Sequence, residues 1–244
     1  MSAIPHFASI CALLAAPVSA TAVSTAVSTA TSSLATLAST SGITEAFSLI
    51  FLSELGDKTF FIAALLAAKT SRLLSFAGSL AALFVVTLIS VAIGVAFHSI
   101  PSAFANGLPI DDYAAALAFT AFGIKTLKDA LEMQEEGGME LELESARKDV
   151  ENVSSTSWST IGLAFFLVFA AEFGDRSFIS TIALAASRDP IAVAVGAIFG
   201  HTVATTIAVA GGAIVGKYVS ERVLGFISGA LFLFFAVTTF AGLF

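Results

Sequence analysis

Two copies of one charged heptapeptide sit inside runs that are otherwise apolar. The first, Glu54-Leu55-Gly56-Asp57-Lys58-Thr59-Phe60, lies within Ile43 to Ala68. The second, Glu172-Phe173-Gly174-Asp175-Arg176-Ser177-Phe178, lies within Ile161 to Ala186. Each run is longer than the roughly 20 residues that cross a bilayer core. Two acids and a base at mid-membrane are costly, so such a cluster marks a functional site. Its return 118 residues later, matched at nearly every position, predicts a duplicated unit built around one shared site, the pattern of secondary transporters.

Composition agrees. The chain is 57% hydrophobic and 12% charged, with a strongly positive mean hydropathy, which excludes a soluble globule. Apolar segments of this length are membrane helices; a barrel would read as ten-residue alternating strands. No basic face interleaved with aromatics points to nucleic acid. The single cysteine, Cys11, excludes an internal disulfide and a cysteine metal centre.

The expected fold is an all-α membrane protein of six helices, at about 43–68, 73–98, 113–128, 159–186, 190–215 and 222–243, with Pro190 placed to open the fifth. Residues 1–42, rich in Ala, Ser and Thr and without acid, Lys or Arg, read as a targeting remnant or flexible N-terminal segment. Ile10 to Ala16 followed by Val18-Ser19-Ala20 is like a cleavage site but lacks a basic n-region. Residues 43–128 form the first three-helix repeat, 129–158 an acidic linker and 159–244 the second repeat. The connections after helices one, three and five hold Lys69, Arg72, Lys125, Lys128, Arg147, Lys148, Lys217 and Arg222, against only Arg188 on the other side. That bias puts the odd connections and the linker on the cytosolic or stromal side, with both termini lumenal. Three helices per unit make the second unit enter from the opposite face, so the halves are inverted repeats, 3+3. Beyond the motif, Ile62 to Ala68 parallels Ser180 to Ala186, Gly78 falls opposite Gly196, and Phe122-Gly123-Ile124 resembles Phe235-Ala236-Val237.

On a continuous helix, Glu54 and Asp57 share a face, as do Glu172 and Asp175. If the inverted halves meet at the midplane, four carboxylates converge, and such hard oxygen donors suit Ca²⁺, Mg²⁺ or Mn²⁺. Thr59 and Ser177 add hydroxyls as auxiliary ligands. Gly56 and Gly174 permit close helix approach or a local break that frees carbonyls for an ion. With Lys58 and Arg176 as counter-ions the set sums to about −2, which one divalent cation or two protons would neutralise. The competing structural reading makes Glu54–Lys58 and Glu172–Arg176 self-satisfied i,i+4 pairs that lock helices. Duplication, with a second acid kept in each copy, argues against it.

Weaker signals remain. His201 is a candidate proton relay and equally a buried, hydrogen-bonded histidine. Thr202, Thr205 and Thr206 read as packing residues, His98 as interfacial, and Phe232, Phe234 and Phe235 as lipid-facing or packing. Asp129 to Glu151, with nine acids against Arg147 and Lys148, reads as a solvated, partly helical linker. Its functional alternative is cation attraction near a mouth.

Both heptapeptides are instances of E-x-G-D-[KR]-[TS]. The chain from about 43 to 244 thereby resembles the transmembrane-protein-165 (GDT-one-like) family of Golgi, bacterial and chloroplast cation/proton exchangers, within the calcium/cation antiporter-2 group. Leu108-Pro109-Ile110-Asp111-Asp112 and Phe51-Leu52-Ser53 are more similar to the chloroplast branch. The resemblance implies a secondary active transporter, not an enzyme, exchanging Mn²⁺ or Ca²⁺ for H⁺ in a thylakoid or inner envelope membrane and supplying manganese there. It implies Glu54, Asp57, Glu172 and Asp175 as shared ion and proton ligands, the cation as substrate, and no permanently bound cofactor. The expected partners are divalent cations, protons and the lipid bilayer, with a homo-oligomer left open. The rival readings are a cation channel without proton coupling and a membrane scaffold or assembly factor. No nucleophile–base set or HExxH motif argues for catalysis.

Overall fold

The two motif-bearing runs, expected as single helices, are each broken in two. In a computed structural model, which describes residues 42–99, 110–132, 138–151, 157–215 and 220–241, the first run forms α1 (42–54) and α2 (Lys58–Lys69). The second forms α6 (Ser157–Glu172) and α7 (Arg176–Ser187). The motif itself dictates the break. Gly56 and Gly174 adopt φ of 79° and 91°, a left-handed conformation that glycine enters without a Cβ penalty and that ends helices. Asp57 and Asp175 follow in extended conformation as N-caps of the next helix, and the Asp57 carboxylate accepts from the Thr59 amide at 3.3 Å. Aspartate is a preferred residue there because its oxygen satisfies an amide that the first turn leaves unpaired. The spacing that predicted one helical face therefore encodes stop, turn and restart.

The other elements are α3 (Arg72–His98), α4 (Ile110–Glu132), α5 (Gly138–Val150), α8 (Pro190–Val215) and α9 (Glu221–Phe240). Pro190 opens α8 as expected, and Asp189 caps it by accepting from the Ala192 amide at 2.7 Å. Among the described residues, three helices are long and apolar enough to cross a membrane, at Arg72–His98, Pro190–Gly211 and Arg222–Phe240, with a shorter apolar helix at Thr160–Glu172. Residues 1–41, and so nearly all of the expected targeting segment, lie outside the described residues, as does Lys217.

Two apolar cores hold Ala38–Phe244 together as one compact unit. In one, Ala46, Leu49 and Ile50 of α1 pack with Leu184 of α7, Val193 and Ala197 of α8, and Phe119, Phe232 and Phe235 of α4 and α9. In the other, Phe60 to Leu66 of α2 pack with Ala82 and Leu83 of α3 and with Ala164 and Val168 of α6. Phe232 and Phe235 are buried and Phe234 is exposed, dividing the phenylalanines between core and outer surface. Thr202 and Thr206 donate to carbonyls of their own helix, as packing residues do.

The acidic linker differs from its expected solvated form. One face of α5 is docked: Ala146 and Val150 are buried in the second core against α2. Lys69 of α2 donates to the Val150 and Glu151 carbonyls at 2.7 and 3.2 Å. The acids occupy the remaining faces, and the apolar stripe among them supplies the docking energy.

Candidate functional site

The two breaks place their polar groups in equivalent local settings. Glu54 ends α1 and accepts from the Thr59 hydroxyl at 3.2 Å; Glu172 ends α6 and accepts from the Ser177 hydroxyl at 2.7 Å. Glu54, Glu172, Thr59 and Ser177 are all buried. Each glutamate stands at a helix C-terminus, where unpaired carbonyls carry partial negative charge. The α1 and α6 ends of the two breaks are thus electronegative by side chain and by backbone, which favours a cation.

The bases do not pair as the i,i+4 reading required, because the helix that would align them is interrupted. Lys58 reaches Asp149 of α5 at 2.7 Å. Arg176 reaches across to Asp57 of the first motif, with Nη2 3.4 Å from Oδ1. Charge also joins the two motifs: Glu54 lies within electrostatic reach of Glu172, Asp57 and Asp175, and Glu172 within reach of Asp57 and Asp175. The four predicted carboxylates therefore share one neighbourhood. They are not drawn into a tight cage; among the described residues no three His, Cys, Asp or Glu side chains stand together closely enough to hold a metal ion. Oε1 of Glu172 is nonetheless buried without a hydrogen-bond partner, a costly condition for a carboxylate that a proton or a cation would relieve.

His201, from α8, lies beside the first motif with Nδ1 3.6 Å from Glu54 Oε1, and that nitrogen has no hydrogen-bond partner. The ring is buried, as the competing reading expected, and it is this nitrogen that faces the glutamate. Glu54, Thr59, Ser79 and Thr205 line a pocket of about 10 Å³, room for about one water. Ser79 has a buried hydroxyl without a partner.

A larger cavity of about 230 Å³ reaches Asp57, Asp175 and Arg176. Its walls include Asp129 and Thr126 of α4 and Glu142 of α5, so it opens beside the acidic linker helix. At the other end of the same helices a second polar group is closed. Arg188 donates to Glu45 Oε2 at 2.9 Å and to the Thr239 hydroxyl at 3.1 Å, with both members of the ion pair buried. His98, largely exposed at its helix end, pairs there with Asp111 at 2.8 Å. Asp111 and Asp129 lie at opposite ends of α4, about 27 Å apart at 1.5 Å per residue. Sequence reasoning missed Glu45, Asp149, Asp129 and Glu142 as partners or lining. The solitary Arg188 on its side of the charge count was the one available signal for the first of these.

A family model described as divalent cation/proton antiporter GDT1 matches residues 42–134 and 160–243, leaving out the whole of α5. The chain is 47% identical over 227 residues to "Protein PAM71-homolog, chloroplastic" of Arabidopsis thaliana, covering 86% of this chain and 62% of that protein. It is 46% identical over 213 residues to "Protein PAM71, chloroplastic" of the same plant, covering 83% and 57%. To "GDT1-like protein sll0615" of Synechocystis it is 38% identical over 205 residues, covering 82% of this chain and 96% of that protein. The chain thus spans about three fifths of the length of the plant relatives and nearly all of the cyanobacterial one. No solved structure gives a significant match.

Proposed function

The chain belongs to the GDT1 divalent cation/proton antiporter family, and from that premise we propose that it exchanges Mn²⁺ or Ca²⁺ for H⁺ across a chloroplast membrane by alternating access. The carrying observation is the meeting of the two motifs: Arg176 of one pairs with Asp57 of the other at an acidic cavity. Glu54, Asp57, Glu172 and Asp175 are the shared cation and proton groups, and Thr59 and Ser177 orient the glutamates. Two discontinuous helices facing one site is an arrangement by which transporters hold ions at the bilayer midplane.

Six spans in two inverted halves supply the moving parts. Supporting this, Gly78 of α3 packs on Ile161 and Ala164 of α6, while Gly196 of α8 packs on Ile43 and Ala46 of α1. Every member of the second contact is the repeat-equivalent of a member of the first, as a pseudo-twofold axis requires. The resting charge is more negative than the sequence count. With Lys58 committed to Asp149, four ionised carboxylates and Arg176 sum to about −3. One divalent cation with one retained proton, or three protons, balances that. The difference is two protons per cation. The cavity beside α5 is the open side and the Glu45–Arg188 pair lies at the closed end.

The test is transport in proteoliposomes, comparing Mn²⁺, Ca²⁺ and Mg²⁺ with and without an imposed pH gradient. Uphill Mn²⁺ or Ca²⁺ uptake driven by the gradient, abolished by Asp57→Asn or Glu172→Gln in folded protein, is the expected result. Conductance indifferent to the pH gradient would establish a channel instead. Failure to bind or move any cation would leave the scaffold reading.

A further inference from the structure

We propose that the cavity beside α5 carries an antechamber site for a hydrated divalent cation, formed by Asp129, Glu142 and the Thr126 hydroxyl and separate from the paired motifs. This deepens the exchange reading and rests on it for the identity of the ion.

Three observations place it. Asp129 and Glu142 line the same cavity as Asp57 and Asp175, and come from α4 and α5, outside either motif. Thr126 precedes Asp129 by three residues, so both project from one side of α4. Thr126 is 3% exposed and lines that cavity, and its hydroxyl has no hydrogen-bond partner. A threonine within a helix ordinarily donates to the carbonyl four residues earlier, as Thr120 does at 2.7 Å. An unpaired buried hydroxyl on a residue that lines one cavity with two carboxylates is an oxygen donor left available for a cation or its water shell. Ser228 of α9 adds a second hydroxyl to the same wall.

The charge balance fits one divalent ion. Asp129 and Glu142 against Lys125 give the antechamber about −1 of its own, the motif groups Asp57, Asp175 and Arg176 at the inner end of the cavity add about −1 while the deep site is empty, and Glu142 lies within electrostatic reach of Asp57. Two carboxylates and hydroxyls are too few to strip an ion completely. Mn²⁺, Mg²⁺ and Ca²⁺ hold water firmly and accept mixed shells of carboxylate, hydroxyl and water. The antechamber thus gathers an ion that is still largely hydrated and passes it to the drier motif site. The docking of α5 through Ala146, Val150 and the Lys58–Asp149 pair fixes Glu142 against the cavity.

The test separates this site from the exchange reaction. In full-length protein carrying Glu54→Gln and Glu172→Gln, which disables the deep site, Mn²⁺ binding is measured by the electron paramagnetic resonance of the free ion. Residual binding of one Mn²⁺ is expected, weakened about tenfold or more by Asp129→Asn with Glu142→Gln, and about threefold by Thr126→Val, which alters no charge. In an otherwise wild-type background, Asp129→Asn/Glu142→Gln should raise the apparent KM for Mn²⁺ more than it lowers kcat. Circular dichroism and gel filtration confirm that each variant is folded before it is scored. Two results would overturn the site: no residual Mn²⁺ binding in the deep-site variant, or Mn²⁺ binding that is unmoved by Thr126→Val and falls with Asp129→Asn/Glu142→Gln only as far as K⁺ accumulation does, the mark of diffuse attraction. Because the binding readout needs no proton coupling, it stands whether the chain is an exchanger or a channel.

Discussion

Gly78 of the first repeat lies directly against the backbone of Ile161 in the second: a Cβ at Gly78 would fall 2.6 Å from the Ile161 carbonyl oxygen and 2.7 Å from Ala164 Cβ. The equivalent Gly196 is pressed as closely against Ile43 and Ala46. Alanine at either position forces α3 from α6 or α8 from α1, an overpacking cost of about 1–3 kcal/mol. Gly162, also helical but with nothing within 4 Å of its added Cβ, should gain up to about 1 kcal/mol on the same change. Thermal unfolding in detergent measures the contrast. Equal behaviour at Gly78, Gly196 and Gly162 would remove the interlocked halves.

Gly174 of the second motif answers to conformation, not space. A Cβ at Gly174 meets nothing within 4 Å, yet φ is +91°. Gly174→Ala should therefore cost about 1–2 kcal/mol from the left-handed backbone alone. Gly174→Asn should be milder and Gly174→Val worse, because asparagine tolerates that region and β-branched residues do not. An inverted order in unfolding midpoint would mean that the turn re-forms as continuous helix.

These glycines also mark how far the sequence could be read. The duplicated acids, the helical class and Pro190 at the head of α8 were legible because each follows from local chemistry. In the letters, the motif glycines allow a local break, which the structure shows, but the apolar runs on both sides favour one long span over two short helices. Lys58 reads as a counter-ion of the shared site, with an i,i+4 pair to Glu54 as the competing reading, because spacing is all a linear string offers. Its pairing with Asp149 needs α5 folded back onto α2, a tertiary event driven by Ala146 and Val150 and masked by the acids around them. Glu45 and Arg188 are 143 residues apart, and no local pattern links them.

The two motif bases should now behave differently. Lys58 and Asp149 are about one third exposed, so their pair is worth at most about 1 kcal/mol. Lys58→Gln should lower exchange only modestly, and mainly at low ionic strength. Arg176→Gln removes the charge bridging the motifs and leaves Asp57 facing Asp175 unbalanced. It should depress exchange about tenfold or more, from a shift of over 1.4 kcal/mol in the loaded-to-empty balance. Equal losses from Lys58→Gln and Arg176→Gln, measured as initial Mn²⁺ uptake, would contradict the asymmetry.

At the closed end, Arg188→Gln strands Glu45 in a buried position where its Oε1 already lacks a hydrogen-bond partner. Removing one member of a buried ion pair costs about 3–5 kcal/mol. The double variant Glu45→Gln/Arg188→Gln should recover a large part of that stability, since the uncompensated charge is gone. A double-mutant cycle on unfolding free energy gives the coupling directly. Additive single effects would show that the pair adds nothing beyond packing.

His201 stands 3.6 Å from Glu54, whereas the repeat-equivalent position 118 residues earlier is held by Leu83. The two halves thus differ at this position, and of the two glutamates only Glu54 has a histidine paired with it among the described residues. His201→Leu copies the chemistry of the other half and should fold, because a leucine of similar volume is already packed at that place in the repeat. If His201 passes protons to and from Glu54, the variant should bind Mn²⁺ and release the same number of protons per ion but more slowly, read by stopped flow with a pH dye in weakly buffered solution. His201→Gln, which retains a hydrogen-bonding group without a ring nitrogen that can take up and hand on a proton, separates relay from positioning. If glutamine restores the rate of proton release, the imidazole only orients Glu54; if release stays slow in both variants, it carries the proton.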